Sequence, residues 1–88
     1  MTDQENIVFS ALSRGRLIFP HLQEMRKLKK LSLAGLTDDE NFRLRNLEAA
    51  HTKIKQKDAW FHSQMQAGDH GAAAKTAQAA LKDLQDIP

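Results

Sequence analysis

The chain has 88 residues, of which 41% are hydrophobic and 27% are charged, and its formal net charge is +2. This length and composition predict a single small folded domain over residues 1–88 and argue against a disordered chain. The chain has no cysteine, which excludes disulfides, thiolate metal sites and cysteine nucleophiles.

The charge is distributed unevenly along the chain. Residues 14–57 hold eleven Lys or Arg against five Asp or Glu, a net charge of +6, whereas residues 1–13 and residues 58–88 each carry −2. A basic middle segment can meet nucleic acid or an acidic protein surface, and it is also typical of solvated helix faces. Both interpretations stay open at this stage.

The N-terminal residues do not resemble a targeting segment. They lack the basic start and apolar run of a secretory signal, and the early Asp3 and Glu5 argue against a transit peptide. No apolar run approaches the ~18 residues of a membrane span. We therefore expect a complete chain in the cytoplasm.

The first predicted helix covers residues 3–18. Thr2 and Glu5 have the spacing of a capping box at its start. Pro20 ends it, because a proline removes a backbone N–H and restricts the residue before it. Apolar residues recur at helical spacing and form a wide face: Ile7, Val8, Ala11, Leu12, Ile18 and Phe19.

The second predicted helix covers residues 20–34, with Pro20 as its first residue. Its apolar residues lie on one side and its cations on the other, so it is either a packed helix with a solvated basic back, a nucleic-acid-binding element or a membrane-surface helix. The membrane interpretation is disfavoured because the apolar face has no Trp or Phe. The nucleic-acid alternative has no recognisable helix-turn-helix turn, zinc ligands or stacking aromatics to support it. Its candidate binding residues are Arg14, Arg16, Arg26, Lys27 and Lys30.

The third predicted helix, residues 38–66, is the element around which the chain is organised. Gly35 can end the preceding helix, and Thr37 and Glu40 fit a capping box. One stripe of this helix predicts a core-facing side: Leu44, Leu47, Ala50, Ile54, Phe61 and Met65.

A second, smaller apolar stripe runs along the same helix. Phe42, Ala49 and Trp60 point about 140° away from Leu47. Either the N-terminal helices bury this stripe, or it stays open and binds a protein partner or a second copy of the chain. The residues that could cover it are Phe9, Leu12, Leu17 and Phe19.

The last predicted helix covers residues 70–86. Gly68 can turn the chain and Asp69 can cap this helix. Apolar residues recur at spacings of four and three on one line of this helix: Ala73, Ala77, Ala80, Leu84 and Ile87. The alanines allow two helix axes to approach closely, which predicts an antiparallel hairpin with the central helix. The segment 68–81 resembles the second half of a tetratricopeptide repeat, although the preceding helix departs from that pattern at Lys57, Phe61 and Gln64. The resemblance implies a shared hairpin geometry.

No catalytic or cofactor-binding constellation emerges. None of the four histidines has a second histidine four residues away, and no glycine-rich phosphate loop or nucleophile elbow is present. We infer no metal, cofactor or small-molecule substrate and expect a protein that is not an enzyme.

These observations predict an all-α fold, a small bundle of three to four helices built on one long central helix with a C-terminal antiparallel hairpin. The expected function is a small protein-interaction module: an adaptor, inhibitor or assembly factor that acts through helical faces and can self-associate. The alternative is a small basic nucleic-acid-binding regulator that uses residues 14–30.

Overall fold

The structure of the protein, a computed structural model, describes residues 3–87 and consists of four helices in that range. They are α1 (Asp3–Arg14), α2 (Leu22–Leu31), α3 (Asp38–Gln66) and α4 (His70–Gln85). No strand occurs among the described residues. The predicted all-α fold with one long central helix is therefore confirmed.

The start of α3 is fixed by local hydrogen bonds. The Glu40 N–H donates to Thr37 Oγ1 at 3.2 Å, and the Thr37 N–H donates to Glu40 Oε1 at 3.0 Å. This reciprocal capping box satisfies two backbone donors that a helix start would otherwise leave free. At the other end, Gly68 takes a φ of +76°, which lets the chain reverse after Gln66.

The chain then returns antiparallel to α3 as α4. Thr76 Oγ1 donates to Gln64 Oε1 at 2.7 Å, and Lys57 forms an ion pair with Asp83 further along. The partner numbers run in opposite directions, as the predicted hairpin requires. The side chains that allow the close approach are buried: Ala73, Ala77 and Ala80.

The core lies along both ends of α3 and forms two clusters. In the larger cluster, Met25 and Leu28 of α2 pack near Leu47 and Ile54 of α3. In the smaller one, α1 and α4 meet α3 around the fully buried ring of Phe61. Helix α2 thus packs on α3, whereas α1 packs mainly on α4 and reaches α3 at Phe61.

The first two helices are shorter than predicted. The helix over 3–18 ends at Arg14, because Gly15 adopts a φ of +69° and its N–H donates to the carbonyl oxygen of Ala11. Pro20 lies in a turn, and α2 begins two residues later at Leu22. This helix also ends early, at Leu31, and turns at residues 32–34 lead to Gly35 at a φ of +102°.

The segment 15–21, which we call the linker, is held against α3. The Leu17 N–H donates to Asp58 Oδ1 at 2.6 Å. The buried ring of Phe19 lies 5.1 Å from the ring of His51, centroid to centroid. The first contact gives the Leu17 N–H the acceptor that a longer α1 would have provided, and the second anchors the linker by packing.

Candidate functional site

The residues predicted to bind a protein partner lie on the side of α3 that faces away from the core. We call this side, defined by Phe42, Ala49 and Trp60, the outer face. All three residues are exposed, Phe42 by 62% and Trp60 by 60%. The two aromatic side chains share one direction and are 18 residues apart, which is about 27 Å along the helix axis.

The N-terminal segments do not cover the outer face, so the first of the two alternatives, burial by the N-terminal helices, is wrong. Leu12 and Leu17 pack against the core clusters, and Phe19 is buried within the larger one. Phe9 is itself 61% exposed on α1. The aromatic side chains that could have covered Trp60 are therefore directed elsewhere.

Polar side chains separate the two aromatic positions. Lys53 and Gln56 lie between Ala49 and Trp60 on the same side of α3, and both are exposed. The outer face is thus two aromatic positions joined by a polar stretch. A partner can contact either position or span both.

The structure brings together the five cations of the nucleic-acid alternative, all of them exposed, along three adjoining depressions. Arg14 and Arg16 line a groove of about 240 Å³ between α1 and the linker. Arg16 and Arg26 line a second depression of about 320 Å³. A third, of about 650 Å³, is lined by Arg26 and by the following cations Lys27, Lys29 and Lys30. We call this surface the basic track.

The charges of the basic track are largely uncompensated. Among the side chains that the structure describes, no ion pair involves any of Arg14, Arg16, Arg26, Lys27 or Lys30. One carboxylate, that of Asp58, also lines the second depression and accepts the Leu17 N–H.

Arg43, a cation of α3 outside the track, forms an ion pair within the protein. Arg43 donates to both carboxylate oxygens of Glu24, at 2.8 and 3.1 Å, and so ties α2 to α3. These hydrogen bonds lower the pKa of the Glu24 carboxyl below its ordinary value and raise the pKa of Arg43. This clamp is a structural contact. Within the track, Lys29 pairs with Glu48 of α3 at 3.9 Å, whereas the other cations that we name there form no ion pair with a described side chain.

The groove between α1 and the linker contains a feature that the sequence interpretation missed. Ile7 and Ile18 line it and are 38% and 45% exposed. The helical periodicity predicts both on the buried face of one continuous helix. Gly15 and Pro20 were the available signals, because a glycine and a proline five residues apart also mark an irregular connection.

Three of the four histidines lie against residues of the linker. His21 and His51 flank the ring of Phe19, and His62 Nδ1 lies 3.5 Å from the Gly15 carbonyl oxygen. Among the described side chains, no three His, Cys, Asp or Glu residues come together in a way that could hold a metal ion. Among the described residues, no helix combines the length and apolar character needed to cross a membrane.

Comparison of the chain with models of known protein families, with curated proteins and with solved structures gives no match.

Proposed function

We propose that this protein is a non-enzymatic interaction module that binds a protein partner, or a second copy of itself, through the outer face of α3. It would act as an adaptor, an inhibitor or an assembly factor. The observation that carries the proposal is the 60% exposure of Trp60, the only tryptophan of the chain. Tryptophan is among the residues most enriched at binding hot spots, where its truncation costs about 2 kcal/mol or more.

The position of Trp60 on α3 supports the proposal. The helix runs for 29 residues and is packed on its other sides by α2 and α4. A side chain on such a rigid element is already oriented before binding, so less conformational entropy is lost when the partner arrives.

The test compares Trp60→Ala with Phe9→Ala. Phe9 is a matched control because it is an aromatic residue of nearly equal exposure on a different helix. We expect Trp60→Ala to weaken association at least tenfold while changing the free energy of unfolding by less than about 1 kcal/mol. Phe9→Ala should leave association intact.

Two measurements give these results. Analytical ultracentrifugation over a range of concentrations detects self-association, and quantitative affinity capture from nuclease-treated host lysate compares partner retention by the variants. Equally weakened association of Trp60→Ala and Phe9→Ala would contradict a specific outer face. A Trp60→Ala variant that is strongly destabilised, but whose folded molecules associate normally, would also contradict it.

A second candidate function is binding to the nucleic-acid backbone along the basic track. The specific observation in its favour is that cations from α1, the linker and α2 line adjoining depressions, and that all of them except Lys29 form no ion pair with a described side chain. Neutralising Arg26, Lys27 and Lys30 with Gln should abolish binding to duplex DNA if this function is correct. The slope of log K against log salt should fall by about 0.9 for each phosphate that the variant no longer neutralises.

The control for that experiment removes the same charge elsewhere. Arg45, Lys75 and Lys82 are exposed cations outside the track. Their replacement by Gln should leave DNA binding nearly unchanged. Equal effects of the two triple variants would mean that only net charge matters.

A further inference from the structure

We propose that the groove between α1 and the linker binds an acidic peptide segment of a partner protein and takes one large apolar side chain of that segment into its floor. The groove is separate from the outer face of α3. The proposal therefore goes beyond the function proposed above and assigns a second binding surface with a defined partner chemistry.

The floor of the groove is apolar and open to solvent. Ile7 and Ala11 lie one helical turn apart on α1, and Ile18 and Pro20 of the linker form the opposite wall. Both isoleucines remain more than one third exposed. Burial of this surface by an apolar side chain removes it from water, which favours binding.

The rim of the groove is basic. Arg14 lies at the end of α1 and Arg16 at the start of the linker, and neither forms an ion pair with a described residue. An arginine guanidinium matches the geometry of a carboxylate and can donate two parallel hydrogen bonds to it. No carboxylate from the described residues lines the groove. Charge complementarity therefore favours Asp or Glu residues on either side of the apolar anchor.

The size and composition of the groove favour a peptide over other ligands. Its volume of about 240 Å³ is below the ~300–1,000 Å³ typical of sites for drug-sized molecules, but a single side chain needs less. Nucleic acid would use the cations, but the described lining of the groove offers no aromatic side chain on which a base could stack. An apolar floor beside two arginines suits a chain that carries both carboxylates and hydrocarbon.

The groove and the outer face can be tested independently, since the groove is lined by α1 and the linker and the outer face belongs to α3. Asp58 holds the linker, and Ile54 lines the same seam between α1 and α4 as Ile18 does. Trp60 points about 120–160° away from both α3 residues around the helix axis.

The experiment selects a random peptide library on the intact protein and counter-selects on an Arg14→Gln/Arg16→Gln double variant. The enriched peptides are then labelled, and their affinities are measured by fluorescence anisotropy. We expect enrichment of sequences with Asp or Glu around one Leu, Ile, Phe or Trp. The double variant and Ile18→Ser should each weaken binding at least tenfold.

Matched variants make the result specific. Arg45→Gln/Lys75→Gln removes the same charge outside the groove, and Trp60→Ala removes the main aromatic side chain of the outer face. Both should bind the peptide as the native protein does. Circular dichroism melting shows whether Ile18→Ser still folds. If it does not, the Arg14→Gln/Arg16→Gln variant still tests peptide binding, because it removes no apolar surface.

Several outcomes would overturn the proposal. One is a lack of enrichment, and another is enrichment of peptides without carboxylates. A third is a single-stranded oligonucleotide that binds more tightly than the peptides and depends on the two arginines but not on Ile18. This result would make the groove part of a nucleic-acid-binding surface. A concentration-dependent dimer that dissociates on Ile18→Ser would identify a second copy as the occupant.

Discussion

The close contact between α3 and α4 predicts that Ala80→Leu strongly destabilises the protein. Ala80 is 3% exposed and belongs to the larger core cluster. It also lines the seam where α1, α3 and α4 meet, and the cavity there has a volume of only about 10 Å³. Such a space holds at most one water molecule, whereas leucine adds three carbon atoms.

The larger side chain must therefore move the helices apart or leave its preferred rotamer. Overpacking of this kind costs about 1–3 kcal/mol. For a domain of this size, each kcal/mol lowers Tm by about 4–8 °C. Urea unfolding and thermal melting, both followed by circular dichroism, measure the two quantities.

The neighbouring Ala79 provides the control, because it is exposed on the same helix. Alanine and leucine have similar helix propensities, so Ala79→Leu should change the free energy of unfolding by less than about 0.5 kcal/mol. Equal destabilisation by the two substitutions would show that the buried side of α4 has been assigned incorrectly. A stabilising Ala80→Leu would refute the close approach itself.

Three further predictions concern polar contacts. The hydrogen bonds from Arg43 lower the pKa of Glu24 in the folded protein. The pair therefore stabilises the fold at pH values above about 4.5, the ordinary pKa of this carboxyl group, and this stabilisation is lost as the pH falls through the lower pKa of the folded state. Urea titrations should show Glu24→Gln less stable by about 0.2–1 kcal/mol at neutral pH, with the difference disappearing in acid; a constant difference would contradict the ion pair. Thr37→Ala removes the cap of α3 and should cost about 0.5–2 kcal/mol in the same assay, and unchanged stability would mean that the cap is not needed. Asp58→Ala leaves the Leu17 N–H without its acceptor and should lower the free energy of unfolding by about 1–3 kcal/mol. Asp58→Asn keeps an acceptor oxygen and should cost less; equal costs would point to a role for the charge.

The position of the outer face on α3 could be predicted from the sequence, but its exposure could not. The periodicity of α3 placed Phe42 and Trp60 on one side, and the structure has them there. Whether another helix covered them could not be decided from periodicity, because it depends on where Phe9 and Phe19 finally lie. The position of Phe9 follows from the packing of α1 on α4, and that of Phe19 from the contacts between the linker and α3.

The ends of α3 and the start of α4 were determined by the sequence alone. The capping box of Thr37 and Glu40, the turn at Gly68 and the cap at Asp69 each involve groups within a few residues of one another. Such signals act before tertiary contacts form, so they can be read directly from the residue types.

Only the tertiary structure decided the conformation of residues 15–21 and the groove beside them. Ile18 fits the helical period of Ile7 and Ala11, so the local pattern favoured one long helix. The hydrogen bond from Leu17 to Asp58 joins residues 41 positions apart, and Phe19 is buried in the cluster around α3. These long-range contacts, together with the left-handed Gly15, favour an irregular linker over one more helical turn, and they leave Ile7 and Ile18 partly open to solvent.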